Sequence, residues 1–89
     1  MSETTSDEGV ANPCRSVIEV VVRALVDQPG SVSVTETQRR GMSVLELRTA
    51  PGDMGKIIGR QGRTAAALRT LLAATAEKHG ARVQLDIRD

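Results

Sequence analysis

Aromatic side chains are absent from this 89-residue sequence, which contains no Phe, Tyr or Trp. Aromatic rings form most of the surfaces on which proteins stack unpaired bases, so their absence argues against a sheet that binds bases by stacking. It also removes the side chains that most often dominate protein interfaces. This protein must therefore contact any ligand through aliphatic side chains, backbone groups and charged side chains.

Cysteine, histidine and long apolar runs are equally scarce. With Cys14 as the only cysteine, no intramolecular disulfide can form, which favours the reducing cytoplasm. One cysteine and one histidine, His79, are too few for a structural zinc site, so we predict no metal and no cofactor. No apolar run exceeds four residues and residues 1–9 do not resemble a signal peptide, so we expect a cytoplasmic protein without a membrane span.

The length allows one small domain, and 39% hydrophobic residues are enough for a folded core. Residues 1–12 are rich in Ser, Thr, Glu and Gly and have no apolar periodicity, so we expect a disordered leader. Residues 13–89 then form a single domain. The net charge is only +1, but no acidic residue occurs between Asp53 and Glu77. The basic residues of that stretch indicate either a solvated helix face or a local site for a polyanion.

The first half of the domain predicts a helix followed by a hairpin. Asn12 is a candidate N-cap with Pro13 at the first helical position, and apolar residues then recur every four positions up to a stop signal at residues 28–30. From Val32 the period changes to two, which indicates a strand. A turn at residues 39–41 and a second alternating run at residues 42–49 favour an antiparallel hairpin.

The second half predicts two helices and a last strand. Asp53 is positioned to cap a short helix over residues 54–58 that ends at Gly59. A long helix follows over residues 63–79, ended by Gly80, with an apolar stripe formed by Ala65, Leu68, Leu72 and either Thr75 or Ala76. Alternation over residues 81–88 indicates the third strand. The predicted class is α+β, in the order α-β-β-α-α-β, with a three-stranded mixed sheet packed against three helices.

The segment with the most functional information is the sequence GKIIGRQGR at residues 55–63. Gly59 and Gly62 form a GxxG loop between two helices, where little side-chain bulk lets a nucleic-acid backbone approach the main chain. The long helix then directs its first N–H groups toward the loop, which suits phosphate. Spacing alone is also consistent with an ordinary helix-helix turn.

These residues and the order of elements resemble a type II KH domain over residues 13–88. The run from Gly55 through Arg63 and on to Arg69 is similar to that of the bacterial KhpA group of stand-alone KH proteins. The resemblance implies a cytoplasmic protein that binds single-stranded RNA, as a homodimer or as a heterodimer with a KhpB/Jag-type KH protein. It also implies post-transcriptional regulation or RNA-chaperone activity, with a link to cell elongation, cell shape and division in some bacteria.

The predicted RNA-binding residues combine the two loop glycines, the polar loop tip, a basic rim and an aliphatic groove wall. Of the two neighbouring isoleucines, only one can easily face a groove, and Leu68 could contribute to the same wall or belong to the core. The predicted site residues are Lys56, Ile58, Gly59, Arg60, Gln61, Gly62, Arg63 and Arg69.

Two other classes of function are weighed against RNA binding. An enzyme is not expected, because the sequence has no set of nucleophile, base and orienting group, and a P-loop fails on its spacing. Cys14 is expected to be a partly buried structural thiol. The alternative that stays open is a protein-interaction module for dimerisation, whose KH-containing partner makes the RNA contacts.

Overall fold

The computed structural model describes residues 13–88, so the predicted leader at residues 1–12 and Asp89 lie outside the described residues. Its elements follow the predicted order of helix, strand, strand, helix, helix and strand. They are α1 (Cys14–Leu25), β1 (Ser33–Arg39), β2 (Met42–Arg48), α2 (Met54–Ile58), α3 (Arg63–Lys78) and β3 (Val83–Arg88). Within residues 13–88, no helix is long and apolar enough to cross a membrane.

The sheet has the strand order β1-β2-β3 and is mixed, as predicted. β1 and β2 pair antiparallel, with Val34 opposite Leu47, whereas β2 and β3 pair in parallel, with Leu45 opposite Leu85. A parallel pair requires a crossover connection, and α2 and α3 lie within it. The α+β fold of type II KH order is therefore confirmed.

One face of the sheet packs against the helices and forms a core of aliphatic side chains and Cys14. Ile18 of α1, Ile57 of α2 and Leu72 of α3 are buried there against Leu45 and Leu47 of β2. Each such side chain contributes about 1.5–3 kcal/mol when it is removed from water. The core thus fixes α2 and α3 relative to the sheet, and with them the loop that joins these helices.

The ends of α1 differ slightly from the prediction. Asn12 lies outside the described residues, and the helix begins at Cys14, because Pro13 supplies the carbonyl that accepts the Val17 N–H at 3.0 Å. The helix ends at Leu25, before the predicted stop signal, since Val26 adopts an extended backbone and buries its side chain. The chain then continues toward β1 through residues 27–32.

The long helix α3 has the predicted buried stripe, formed by Ala65, Leu68, Leu72 and Ala76. Ala76 rather than Thr75 completes it. The helix ends at Lys78, one residue before the predicted end. Gly80 has φ +67°, and the Ala81 N–H donates to the Ala76 carbonyl at 2.8 Å, which is the glycine stop that the sequence predicts.

Candidate functional site

The GxxG segment forms a loop at residues 59–62, here called the 59–62 loop, between α2 and α3. Gly59 closes α2 by donating its N–H to the Gly55 carbonyl at 2.9 Å. The chain then makes one short 3₁₀ turn, Arg60–Gly62, in which the Gly62 N–H donates to the Gly59 carbonyl at 3.1 Å. The loop is therefore built from its own backbone and joined directly to the first turn of α3.

Gly59 must be glycine for the protein's own structure. Its backbone, with φ +76° and ψ 172°, is essentially restricted to glycine. A Cβ at this position would lie 2.8 Å from the Thr64 backbone nitrogen and closer still to the Thr64 side chain. The close packing of Gly59 on α3 therefore sets the angle at which the loop enters the helix.

Gly62 differs, because only its backbone conformation disfavours a side chain. It lies in the left-handed region with φ +73° and ψ 12°, and a Cβ built there would meet no atom within 4 Å. The missing side chain thus leaves open space beside the N-terminus of α3. This is the space that a ligand backbone needs for close approach to the main chain.

The tip of the loop is polar, exposed and positively charged. Gln61 is a non-glycine residue with φ +59°, and its side-chain oxygen accepts a hydrogen bond from Arg63 Nη2 at 3.2 Å. Within residues 13–88, neither Arg60 nor Arg63 has a carboxylate at ion-pair distance. The first turn of α3 also contains no acidic residue, and its N-cap, Gly62, provides no side-chain hydrogen bond. The positive end of the helix dipole and two guanidinium groups therefore face solvent together.

Lys56 was predicted to add positive charge to the loop, but the structure gives its ammonium group acidic neighbours. Lys56 Nζ lies 3.2 Å from Asp27 Oδ2 and 3.8 Å from Asp53 Oδ1. Its charge is therefore largely compensated within the protein. The uncompensated charge of the site comes from Arg60 and Arg63.

The predicted capping role of Asp53 is wrong, although its position before α2 is correct. The Asp53 side chain makes no capping hydrogen bond. Its two carboxylate oxygens instead accept the backbone N–H groups of Asp27 at 3.2 Å and Gln28 at 3.0 Å. Asp53 is already in a helical conformation in the Pro51–Asp53 turn, and the two N–H groups of the chain after α1 lie within its reach. It thus ties α2 to the α1–β1 connection.

The two isoleucines before the loop have separate roles. Ile57 is fully buried in the core, whereas 37% of Ile58 is exposed beside the 59–62 loop. Only Ile58 of the pair is exposed enough to contact a ligand, so its predicted place in a groove wall stays a prediction. Leu68 lies in the core, so it is not part of an exposed groove wall.

Arg69 lies beside the edge strand β3 rather than at the loop. Its Nη2 atom donates to the Leu85 carbonyl at 3.3 Å. The residue also lines a cleft of about 270 Å³ between α3 and the sheet, together with Met42, Leu72, Val83, Gln84 and Leu85. Arg69 follows Arg63 by six residues, so it lies about 9 Å farther along the helix axis.

The geometry of Cys14 agrees with the predicted structural thiol. Cys14 is fully buried, and its Sγ atom lies 3.7 Å from the Leu72 carbonyl, to which it donates. Burial, followed by the nearby charge of Glu36, raises the pKa of this thiol. Among residues 13–88, no three His, Cys, Asp or Glu side chains are grouped to hold a metal ion.

Comparison with known proteins agrees with the fold. The family described as KhpA/KhpB, KH domain, matches residues 15–87. A Treponema pallidum protein named RNA-binding protein KhpA is 49% identical over 73 residues, which cover 82% of this chain and 91% of the relative. A protein of the same name in Halalkalibacterium halodurans is 47% identical over 75 residues, or 84% of this chain and 99% of the relative. The chain therefore belongs to the KhpA/KhpB KH-domain family.

Proposed function

We propose that this protein binds single-stranded RNA by holding the RNA backbone against the 59–62 loop. The observation that carries the proposal is the open space at Gly62, bordered by the uncompensated charges of Arg60 and Arg63 and by the uncapped start of α3. A phosphate in that space accepts hydrogen bonds from backbone and guanidinium groups at once. The relatives named RNA-binding protein KhpA support the same ligand.

Base recognition then depends on aliphatic contact. Ile58 is the exposed apolar side chain next to the loop, and the chain has no Phe, Tyr or Trp to stack a base. Binding in this mode is carried by phosphate contacts and van der Waals packing, so it has low base specificity and decreases as salt rises. These properties suit a general post-transcriptional regulator or RNA chaperone in the cytoplasm, and by family resemblance one linked to cell elongation and division.

The test replaces the loop tip without disturbing its backbone. Arg60→Asp/Gln61→Asp places two negative charges where phosphate binds, and Arg60→Asn/Gln61→Asn is the matched neutral control. Asn and Asp both tolerate the left-handed conformation of residue 61, so both variants keep the fold. In fluorescence-anisotropy titrations with single-stranded RNA, the Asp variant should lose at least about tenfold in affinity, or about 1.4 kcal/mol, and the Asn variant less. Equal affinity of the Asp variant and the wild type would contradict the proposal.

A second candidate function is a protein-interaction module, favoured by exposed aliphatic side chains on two helices. Val20 of α1 is 68% exposed, and Leu25 and Leu71 are each about 40% exposed. In this alternative the chain pairs with itself or with a KhpB/Jag-type partner, and the partner contacts RNA. Val20→Asp and Leu71→Asp should then abolish association in analytical ultracentrifugation. Retention of RNA binding by such monomeric variants would assign the RNA contact to this chain.

A further inference from the structure

A second group of arginines lies at the other end of α3 from the 59–62 loop. Arg39 ends β1, Arg40 occupies the hairpin turn, and Arg82 directly precedes β3; we call these three residues the arginine cluster. They meet at one end of the sheet, because Arg39 pairs with Met42 and the Ser43 N–H donates to the Arg82 carbonyl at 2.9 Å. All three arginines are exposed, and with Met42 they line one concave site. The 16 residues of α3 separate this site from the loop by about 24 Å.

Charge pairing distinguishes the arginine cluster from most other arginines of the chain. Of the ten arginines, six form an ion pair with a carboxylate or donate to an amide oxygen or a backbone carbonyl. Those six are Arg15, Arg23, Arg48, Arg63, Arg69 and Arg88. Among the described residues 13–88, the guanidinium groups that have no such acceptor are those of Arg39, Arg40, Arg82 and the loop residue Arg60. Three of the four therefore converge on one site that the loop does not include.

The hairpin turn supplies a second, independent observation. Arg40 and Gly41 have φ +54° and +79°, as in a two-residue type I′ turn, whose first position favours Asn, Asp or Gly. Arginine is conformationally disfavoured there, and it makes no hydrogen bond within residues 13–88 that would offset this. The stability of the turn therefore does not explain an arginine at position 40, whereas binding of an anion does.

A concave surface continues from the arginine cluster to Arg69, near the middle of α3. The cleft that contains Arg69, Leu72 and Leu85 also contains Met42 and thus borders the arginine cluster directly. Cationic groups therefore occur at the loop, at Arg69 part of the way along the helix, and at the far end of the sheet. Between Arg69 and the arginine cluster, the cleft is lined mainly by the apolar residues Leu72, Val83 and Leu85.

We propose that the arginine cluster is a second phosphate-binding site, which holds nucleotides of a single-stranded RNA beyond those that the 59–62 loop clamps. The proposal rests on the proposed function, because it extends the path of the same ligand along the edge of the sheet. A KH loop clamps about four nucleotides, so only a longer RNA can reach both sites. The arginine cluster would then determine how strongly affinity depends on RNA length.

The test compares two charge-matched variants on two RNA lengths. Arg40→Asn/Arg82→Gln removes two charges from the arginine cluster, and Asn at position 40 suits the type I′ turn, so this variant is at least as stable as the wild type. Arg15→Gln/Arg23→Gln removes two charges from α1, outside the arginine cluster, as the control. The ligands are an oligoribonucleotide of about four nucleotides, measured by competition, and one of about twelve, measured by fluorescence anisotropy, within the known range of single-stranded site sizes.

For the longer RNA, the cluster variant should bind several-fold more weakly than the control. The slope of log affinity against log salt should also become shallower by about 1.4, the value for two lost phosphate contacts on a single strand. The short RNA should bind both variants alike. Equal affinity of the cluster and control variants for the longer RNA would overturn this inference, and so would equal weakening for both lengths. Either result leaves the loop variants of the preceding section as the separate test of RNA binding itself.

Discussion

At the scale of single residues, the two glycines of the 59–62 loop have different constraints. Gly59 combines a backbone restricted to glycine with close packing on Thr64. Gly62 has only a left-handed backbone and is surrounded by open space. Gly59 therefore contributes mainly to stability, whereas Gly62 leaves the space that the proposed ligand would occupy.

This difference predicts separate effects of alanine substitution. Gly59→Ala should destabilise the fold by about 3 kcal/mol or more, because backbone strain and a steric clash add together. Gly62→Ala should cost about 1 kcal/mol, the cost of a left-handed conformation. Urea unfolding followed by circular dichroism measures both. A larger loss of stability from Gly62→Ala than from Gly59→Ala would contradict the assignment.

Cys14 makes the stability of the fold depend on pH in the alkaline range. Burial, and next the charge of Glu36, raises the pKa of the thiol in the folded state, so the fold favours its protonated form. The resulting stabilisation is fully present below the unfolded thiol pKa of about 8.5 and is lost as pH rises through the higher folded value. The chain has no tyrosine and only two lysines, so few other groups titrate in this window.

Cys14→Ala isolates this effect. Near pH 7 the variant should be less stable than the wild type by about 1 kcal/mol, because it leaves a small cavity in the core. At about pH 10 the difference should shrink, since only the wild type must keep a thiol protonated in the core. Urea unfolding at both pH values provides the measurement. A difference between the two proteins that grows with pH would contradict the prediction.

At the scale of elements, Asp53 holds α2 in place. Its buried carboxylate accepts two backbone N–H groups from the chain after α1, and Lys56 joins the same group of charges. The short helix α2 has five residues and could not hold its position by itself. The angle of the 59–62 loop therefore depends on a contact made 25 residues away in sequence.

Removal of this carboxylate should loosen the loop side of the molecule. Asp53→Ala leaves two N–H groups without their acceptor and should cost about 3 kcal/mol in urea unfolding. Asp27→Ala is the control, because it removes the other carboxylate partner of Lys56. The Asp27 side chain is 76% exposed, so its loss should cost no more than about 1 kcal/mol. Similar losses of stability in the two variants would show that Asp53 is not an anchor.

The elements were predictable to the extent that local patterns determine them. Local signals identified the long helices α1 and α3 and the β1–β2 hairpin. These signals are the apolar periodicity, the turn at residues 39–41 and Gly80. The partners of Asp53 and Lys56 were not predictable from the sequence. They lie at residues 27 and 28, which come close to Asp53 and Lys56 only in the folded chain. For the same reason the sequence placed Arg69 at the rim of the loop, whereas the helix turns it toward β3.

At the scale of the whole molecule, charge is distributed unevenly over an almost neutral chain. The net charge is +1, yet the loop and the arginine cluster contain the guanidinium groups that have no partner within residues 13–88. Where carboxylates exist, as at Glu19 and Glu46, they neutralise the arginines of other regions. The basic surfaces therefore lie along α3 and at the end of the sheet that contains the arginine cluster. The net charge of the chain does not indicate them.

The absence of aromatic rings limits how such a surface can bind RNA. Without Phe, Tyr or Trp, a sheet that stacks bases is not available, so the proposed function assigns the contacts to the 59–62 loop, the start of α3 and Ile58. The central claim is thus that RNA contacts the loop between α2 and α3 rather than the exposed apolar side of α1.

Amide chemical-shift mapping tests this claim most directly, since a chain of 89 residues is well suited to solution NMR. A ¹⁵N-labelled sample is titrated with a single-stranded oligoribonucleotide of about four nucleotides, the length that a KH loop clamps. The account predicts that the largest shift changes occur at the amides of residues 58–64. Changes confined to α1, with the amides of the 59–62 loop unmoved, would contradict it.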